Sequence, residues 1–152
     1  MVLCGLLLAP GSSQAATIVA VNDTTALFTI KFDFIAGKDA YQIPVGAKQG
    51  LEFSAGKDFV GYKVVSSDNT ALTDTRSNAV VLRQLPIENG MYQLEAGKRA
   101  SFTLVGLFTV PASIDETYQA KLISLPHFIG STRTNVTEAR LERFVTDEIA
   151  FE

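Results

Sequence analysis

The chain has 152 residues, 47% of them hydrophobic and 19% charged, which suits one globular domain able to bury a core of its own. Its formal net charge of −3 removes the broad positive field on which nucleic-acid binding draws. A single cysteine and a single histidine exclude a disulfide framework and multi-histidine zinc sites.

In chain order, "MVLCGLLLAPGSSQAAT" comes first: an uncharged start, an apolar run from Val2 to Ala9, and the small-x-small end Ser13-Gln14-Ala15. This is the pattern of a secretory leader and its cleavage site, although no basic residue precedes the run. The run falls short of the ~20 apolar residues that cross a bilayer. Residues 1–15 are therefore expected to be a leader and residues 16–152 a single domain. The competing reading of the run is a short buried strand or helix. Cys4 lies inside it, ahead of "GLLLAP", and reads as a small apolar filler rather than a lipid anchor. A mature chain free of cysteine and of transmembrane segments points to a secreted, periplasmic or cell-surface protein, with a bacterial host favoured.

The strongest pattern follows in "ALFTIKFDFIA", where Ala26, Phe28, Ile30, Phe32 and Phe34 alternate with Leu27, Thr29, Lys31, Asp33 and Ile35. Period-two alternation of this length predicts a strand with one face in a core. It recurs in "FVGYKVVSS", "RASFTLVGLFTV" and "TYQAKLIS". Shorter strands are expected at 17–21, 40–45, 78–85 and 91–94. Residues 66–79 read as a long mobile loop, and 138–143 as one helical turn before a last strand through Val145, Ile149 and Phe151. A full helix over that C-terminal stretch is the alternative. Pro44, Pro86, Pro111 and Pro126 each follow an apolar run, as expected of a residue that cannot donate to a ladder. Strands about every ten residues predict an all-β fold: an antiparallel sandwich of about 7–9 strands, with at most one short helix near the C-terminus.

Few residues suggest chemistry. Ala-Gly-Lys occurs at Ala36, Ala55 and Ala96, but a phosphate loop needs Gly, four residues, then Gly-Lys and a hydroxyl ahead of a helix. Five residues separate Gly50 from Gly56, six separate Gly90 from Gly97, and Lys98 leads into an alternating strand. The three sites read instead as turns, with Lys38, Lys57 and Lys98 facing solvent. His127, after Pro126, reads as a packing or loop residue. The scattered carboxylates form no calcium-loop or paired-acid signature, so no catalytic residue, cofactor or metal ligand is assigned, and Ca2+ stays open only as a loop-bound ion. With no tryptophan, Tyr41 and Tyr92 are the candidates for an exposed sugar-stacking contact.

The segments "FTIKFDFIAGKDAYQIP", "YQLEAGKRASFTLVGLFTV", "TYQAKLISLPHF" and "LERFVTDEIAF" together resemble Ig-like β-sandwich modules of exported bacterial surface proteins. The resemblance spans residues 17–151. It implies an Ig-like fold and a spacer, adhesive or assembly role outside the cytoplasm, and brings no catalytic residues. The expected function is thus a non-enzymatic structural or interaction module at a cell surface, in a matrix or in a filament. Protein partners or self-association are expected through strand pairing at Thr17, Ile18, Val19 and Val21. The alternative is a carbohydrate- or calcium-dependent ligand-binding module.

Overall fold

The structure, a computed structural model, describes residues 5–7, 16–50, 59–72, 76–111, 116–137 and 141–151, and thirteen strands form among these described residues. They are β1 (Gly5–Leu7), β2 (Ala16–Ala20), β3 (Thr25–Ile35), β4 (Tyr41–Pro44), β5 (Ala47–Gln49), β6 (Val60–Ser66) and β7 (Ser77–Leu82). The remainder are β8 (Ile87–Glu88), β9 (Met91–Leu94), β10 (Arg99–Thr109), β11 (Thr117–Ile129), β12 (Thr132–Thr137) and β13 (Ile149–Ala150). No α-helix forms among the described residues.

The strands build two sheets. In the first, β3 pairs β10 along its whole length and β10 pairs β7, while β1 and β2 lie end to end along the other side of β3. In the second, β11 is the axis. Ser124 pairs both Gly61 of β6 and Thr137 of β12, and Tyr118 pairs both Ser66 of β6 and Ile149 of β13. A residue has only two edges, so β6 and β4 lie along one side of β11 and β12 and β13 along the other. The strand count exceeds the expected 7–9 because single edge positions are filled by two broken segments. β4 continues outward to β9 and β8. β5 pairs β6 in parallel, which corrects the expectation of a wholly antiparallel fold.

The inward faces are those the alternation marks. Phe28, Ile30, Phe32 and Phe34 of β3 and Phe102, Leu104 and Phe108 of β10 are buried in one cluster with Tyr62, Val64, Tyr118, Ala120 and Leu122 from the second sheet. Rings bridge the sheets: Phe28 to Tyr62 at 5.5 Å, Tyr92 to Phe102 at 5.8 Å and Phe108 to Tyr118 at 6.3 Å between centroids. This packing of side chains from facing sheets is what makes a sandwich core.

Three local expectations change. The stretch 66–79 is not one long loop: Ser66 closes β6, Ser77 opens β7, and Asp68 holds the turn between them by accepting from Ser66 Oγ and from Thr70 N. Hydrogen bonding from Ser66 first, and then from the Thr70 side chain and backbone, keeps the exposed Asp68 carboxyl below the usual carboxylate range. At the C-terminus, Phe144 N donates to Leu141 O at 2.9 Å, Val145 bridges Lys121 and Ile149–Ala150 forms β13, so the full-helix alternative fails. The start of the expected helical turn lies outside the described residues. Pro126 stands within β11, not at its end. It occupies the interval where the β6 pairing has stopped at Ser124 and the β4 pairing has not begun before Phe128, so that side has no ladder for it to interrupt.

Candidate interaction surface

The first sheet has two edges, and they are treated differently. On β7, Val81 N donates to Val45 O at 2.9 Å and Gly46 bridges Val80, so the chain entering β5 covers that edge. On β2, pairing with β3 is the one ladder among the described residues: β13 of the second sheet comes near its Ala20 end, but no described strand pairs with its opposite side. From Ala16 to Val21 there is no charge, proline or glycine. Val19 and Val21 are 60% and 59% exposed. Charged side chains, prolines and bulges are the usual means of keeping an edge from pairing, and β2 has none of them. The open side of the second sheet differs: β12 carries Arg133, and a turn at 141–144 separates it from β13.

The face of the first sheet that looks away from the core carries an apolar band continuous with this edge. Register places Val19 beside Leu27, Leu27 beside Leu107, and Val105 beside Val80, and Val19, Leu27, Leu107 and Val80 are all exposed. Threonines border it: Thr17 and Thr29 share a hydroxyl hydrogen bond at 2.5 Å, and Thr25 and Thr109 one at 3.1 Å. Farther along, Asp33 accepts from Arg99 Nη2 at 2.6 Å and from Ser101 Oγ at 2.5 Å. Of the expected assembly residues, Thr17, Ile18 and Val19 fall in β2 and Val21 just beyond it, all on this one edge.

Tyr41 and Tyr92 are not exposed. Both rings are buried in the core cluster between the sheets, on the face of β4 and β9 opposite the half-buried Gln42 and Gln93. Tyr41 stacks on His127 at 5.2 Å, and Tyr92 OH donates to Val81 O at 2.6 Å and accepts from Arg83 N at 3.2 Å. Neither ring is open to a sugar face; Tyr41-Gln42-Ile43 and Tyr92-Gln93-Leu94 each alternate, but over three residues only, too few to mark the inner face from sequence. The Tyr92 hydroxyl instead ties β9 of one sheet to β7 of the other. Tyr92→Phe is expected to cost about 1–2 kcal/mol by leaving that buried carbonyl unpaired, read as a lower urea midpoint with unchanged m. An unchanged midpoint would refute the tie.

His127 is a core residue, 3% exposed, between Phe34 at 5.1 Å and Tyr41. A β-bulge puts it there: Leu122 pairs Tyr62 but Ser124 pairs Gly61, so Ile123 is an extra residue and the inward phase shifts from Tyr118, Ala120 and Leu122 to Leu125 and His127. Burial, the larger cause, holds the imidazole below its ordinary pKa of 6.5, with the Leu125 carbonyl opposing. The unfolded chain then binds a proton that the folded chain refuses. Stability present above pH 6.5 is expected to decline as pH falls below it, toward the folded-state value, by at most ~1.4 kcal/mol per pH unit. Denaturation midpoints at pH 7.5 and 5.5 should converge in His127→Leu. An equal loss in that variant would assign the effect elsewhere.

Two of the three Ala-Gly-Lys turns meet. Ala36 N donates to Lys98 O at 2.8 Å and Gly97 N to Gly37 O at 2.8 Å, so the glycine N–H that a phosphate would need already serves a carbonyl. Gly97 has φ +75°, the conformation expected of a turn glycine. Lys38 and Lys98 are exposed, and Lys57 with Gly56 lies outside the described residues. At the opposite end of the sandwich, burial first and then the charges of Glu116 and Asp68 push the Tyr118 phenol upward, against Arg76. Among the described residues no three His, Cys, Asp or Glu side chains gather to hold a metal ion. No helix there is long and apolar enough to cross a membrane. The chain matches no family model, and no curated protein resembles it significantly.

Proposed function

We propose that this chain is a non-enzymatic, Ig-like module exported to a cell surface, matrix or filament, where it binds protein partners by adding a strand at β2. The observation that carries the reading is the uncharged, singly paired β2 edge, whose outward peptide groups join no ladder among the described residues. Strand order supports the Ig-like part. β2–β3–β10–β7 against β12/β13–β11–β6/β4 follows the A-B-E-D and G-F-C sequence of immunoglobulin constant-type sheets. Export is supported by the leader pattern of residues 1–15. Loss of that segment would also remove β1 and lengthen the open edge to Asp33–Ile35 of β3.

Sedimentation velocity across a concentration series tests the function. The chain is expected to associate with rising concentration, and Val19→Lys, which places a charge on the open edge at an exposed position, is expected to abolish this while leaving the thermal midpoint within about 1–2 °C. Association that survives Val19→Lys would remove β2 from the reading.

A further inference from the structure

We propose that the strand received at β2 is β2 of a second copy, antiparallel, about a two-fold axis through Ile18. This rests on β2 being an assembly edge, and it names the partner and the register.

The free backbone groups dictate the register. Val21 N donates to Thr25 O at 2.8 Å, so Val21 faces β3, and by the alternation of an antiparallel ladder so do Val19 and Thr17. Ala16, Ile18 and Ala20 therefore direct their N–H and C=O to the open side. A partner must offer groups at every second residue, and a second β2 does so with the same spacing. Centred on Ile18, the pairs are Ala16 with Ala20, Ile18 with Ile18, and Ala20 with Ala16, so every outward peptide group from 16 to 20 is used. Centring on Val19 instead would call on Asn22, whose N–H already contacts Thr25 O at 3.3 Å. A slip by one residue would set Ile18 opposite Thr17 or Val19 of the other copy, whose peptide groups already face β3, and leave the outward groups unmatched.

The side chains agree with this register. On the outer face Thr17 of each copy lies beside Val19 of the other, joining the two Val19–Leu27–Leu107 bands into one across the seam. On the inner face Ile18 meets Ile18. No like charges face each other, because 16–21 carries none. Two-fold closure buries both copies of the edge at once and leaves no growing end there.

Cysteine trapping in the full chain tests the register and records even weak association. In a Cys4→Ser background, T17C and V19C single variants are mixed and equilibrated in a glutathione buffer. In the proposed pairing, positions 17 and 19 form a non-hydrogen-bonded pair with Cα atoms about 4.5 Å apart, within disulfide range. Like positions lie on the diagonal at about 7–8 Å. The mixed T17C–V19C dimer is expected to exceed either homodimer about tenfold, against about twofold for random coupling. A dominant V19C homodimer, or a random mixture, would overturn the Ile18-centred register. If Val19→Lys still abolished association, the edge itself would stand. A chain that sediments as a monomer at every concentration and gives no cross-link would overturn the register and the assembly edge together.

Discussion

Phe34→Ala is expected to lower unfolding stability by about 3–5 kcal/mol. The ring is fully buried near the end of β3 and lies within 6.4 Å of four others: Phe32 at 5.9 Å, Phe102 at 5.9 Å, Tyr41 at 6.4 Å and His127 at 5.1 Å. Two of these partners belong to its own sheet and two to the facing one, so truncation opens a void between sheets that neither can close alone. Against a total of about 5–15 kcal/mol, such a loss shifts the thermal midpoint by roughly 10–15 °C. Phe34→Leu keeps most of the volume and should cost under half as much. The alanine variant should also weaken the pH dependence assigned to His127, because its ring would gain access to water. Calorimetry of both variants at pH 7.5 and 5.5 checks all three statements; equal midpoints for Leu and Ala would contradict the packing account.

Gly106→Val is expected to cost about 3 kcal/mol by the opposite fault, excess volume. Gly106 sits mid-β10, paired with Phe28 on one side and Ala79 on the other. A Cβ there would press into the Phe28 ring and lie 2.9 Å from the Ala79 Cβ. Phe28 cannot swing aside freely, because Tyr62 at 5.5 Å and Phe108 at 6.2 Å hold it. The glycine is required by this close approach and not by its backbone conformation. The check is a double-mutant cycle with Phe28→Leu, whose smaller side chain should return about 1 kcal/mol or more of the Gly106→Val loss. Additive losses would show that the ring is not the obstacle.

Where one face of a strand is wet, the pattern was legible. The alternation 26–34 names the residues that β3 buries, and Met91–Leu94 has the limits read from sequence. Two hairpins had signals that strand-by-strand reading passed over. Asn89-Gly90, with φ of +53° and +75°, joins β8 to β9, and Gly130-Ser131, with Gly130 at +62°, joins β11 to β12. Both dipeptides favour two-residue hairpin turns. β5 carried no such signal: three residues pair in parallel with β6, and nothing local distinguishes Ala47–Gln49 from loop.

The amino-acid order by itself determined the class of fold, the inward faces of β3, β6 and β10, the turn role of Gly37 and Gly97, and the uncharged character of 16–21. Each is a matter of period, of φ or of side-chain charge, which act over a few neighbouring residues. Only the tertiary structure decided that Tyr41 and Tyr92 lie inside, that a bulge at Ile123 turns His127 into the core, and that β2 rather than β7 keeps an open edge. Each of those depends on which distant segment covers a strand. Pairing between residues far apart in the chain leaves no local period to read.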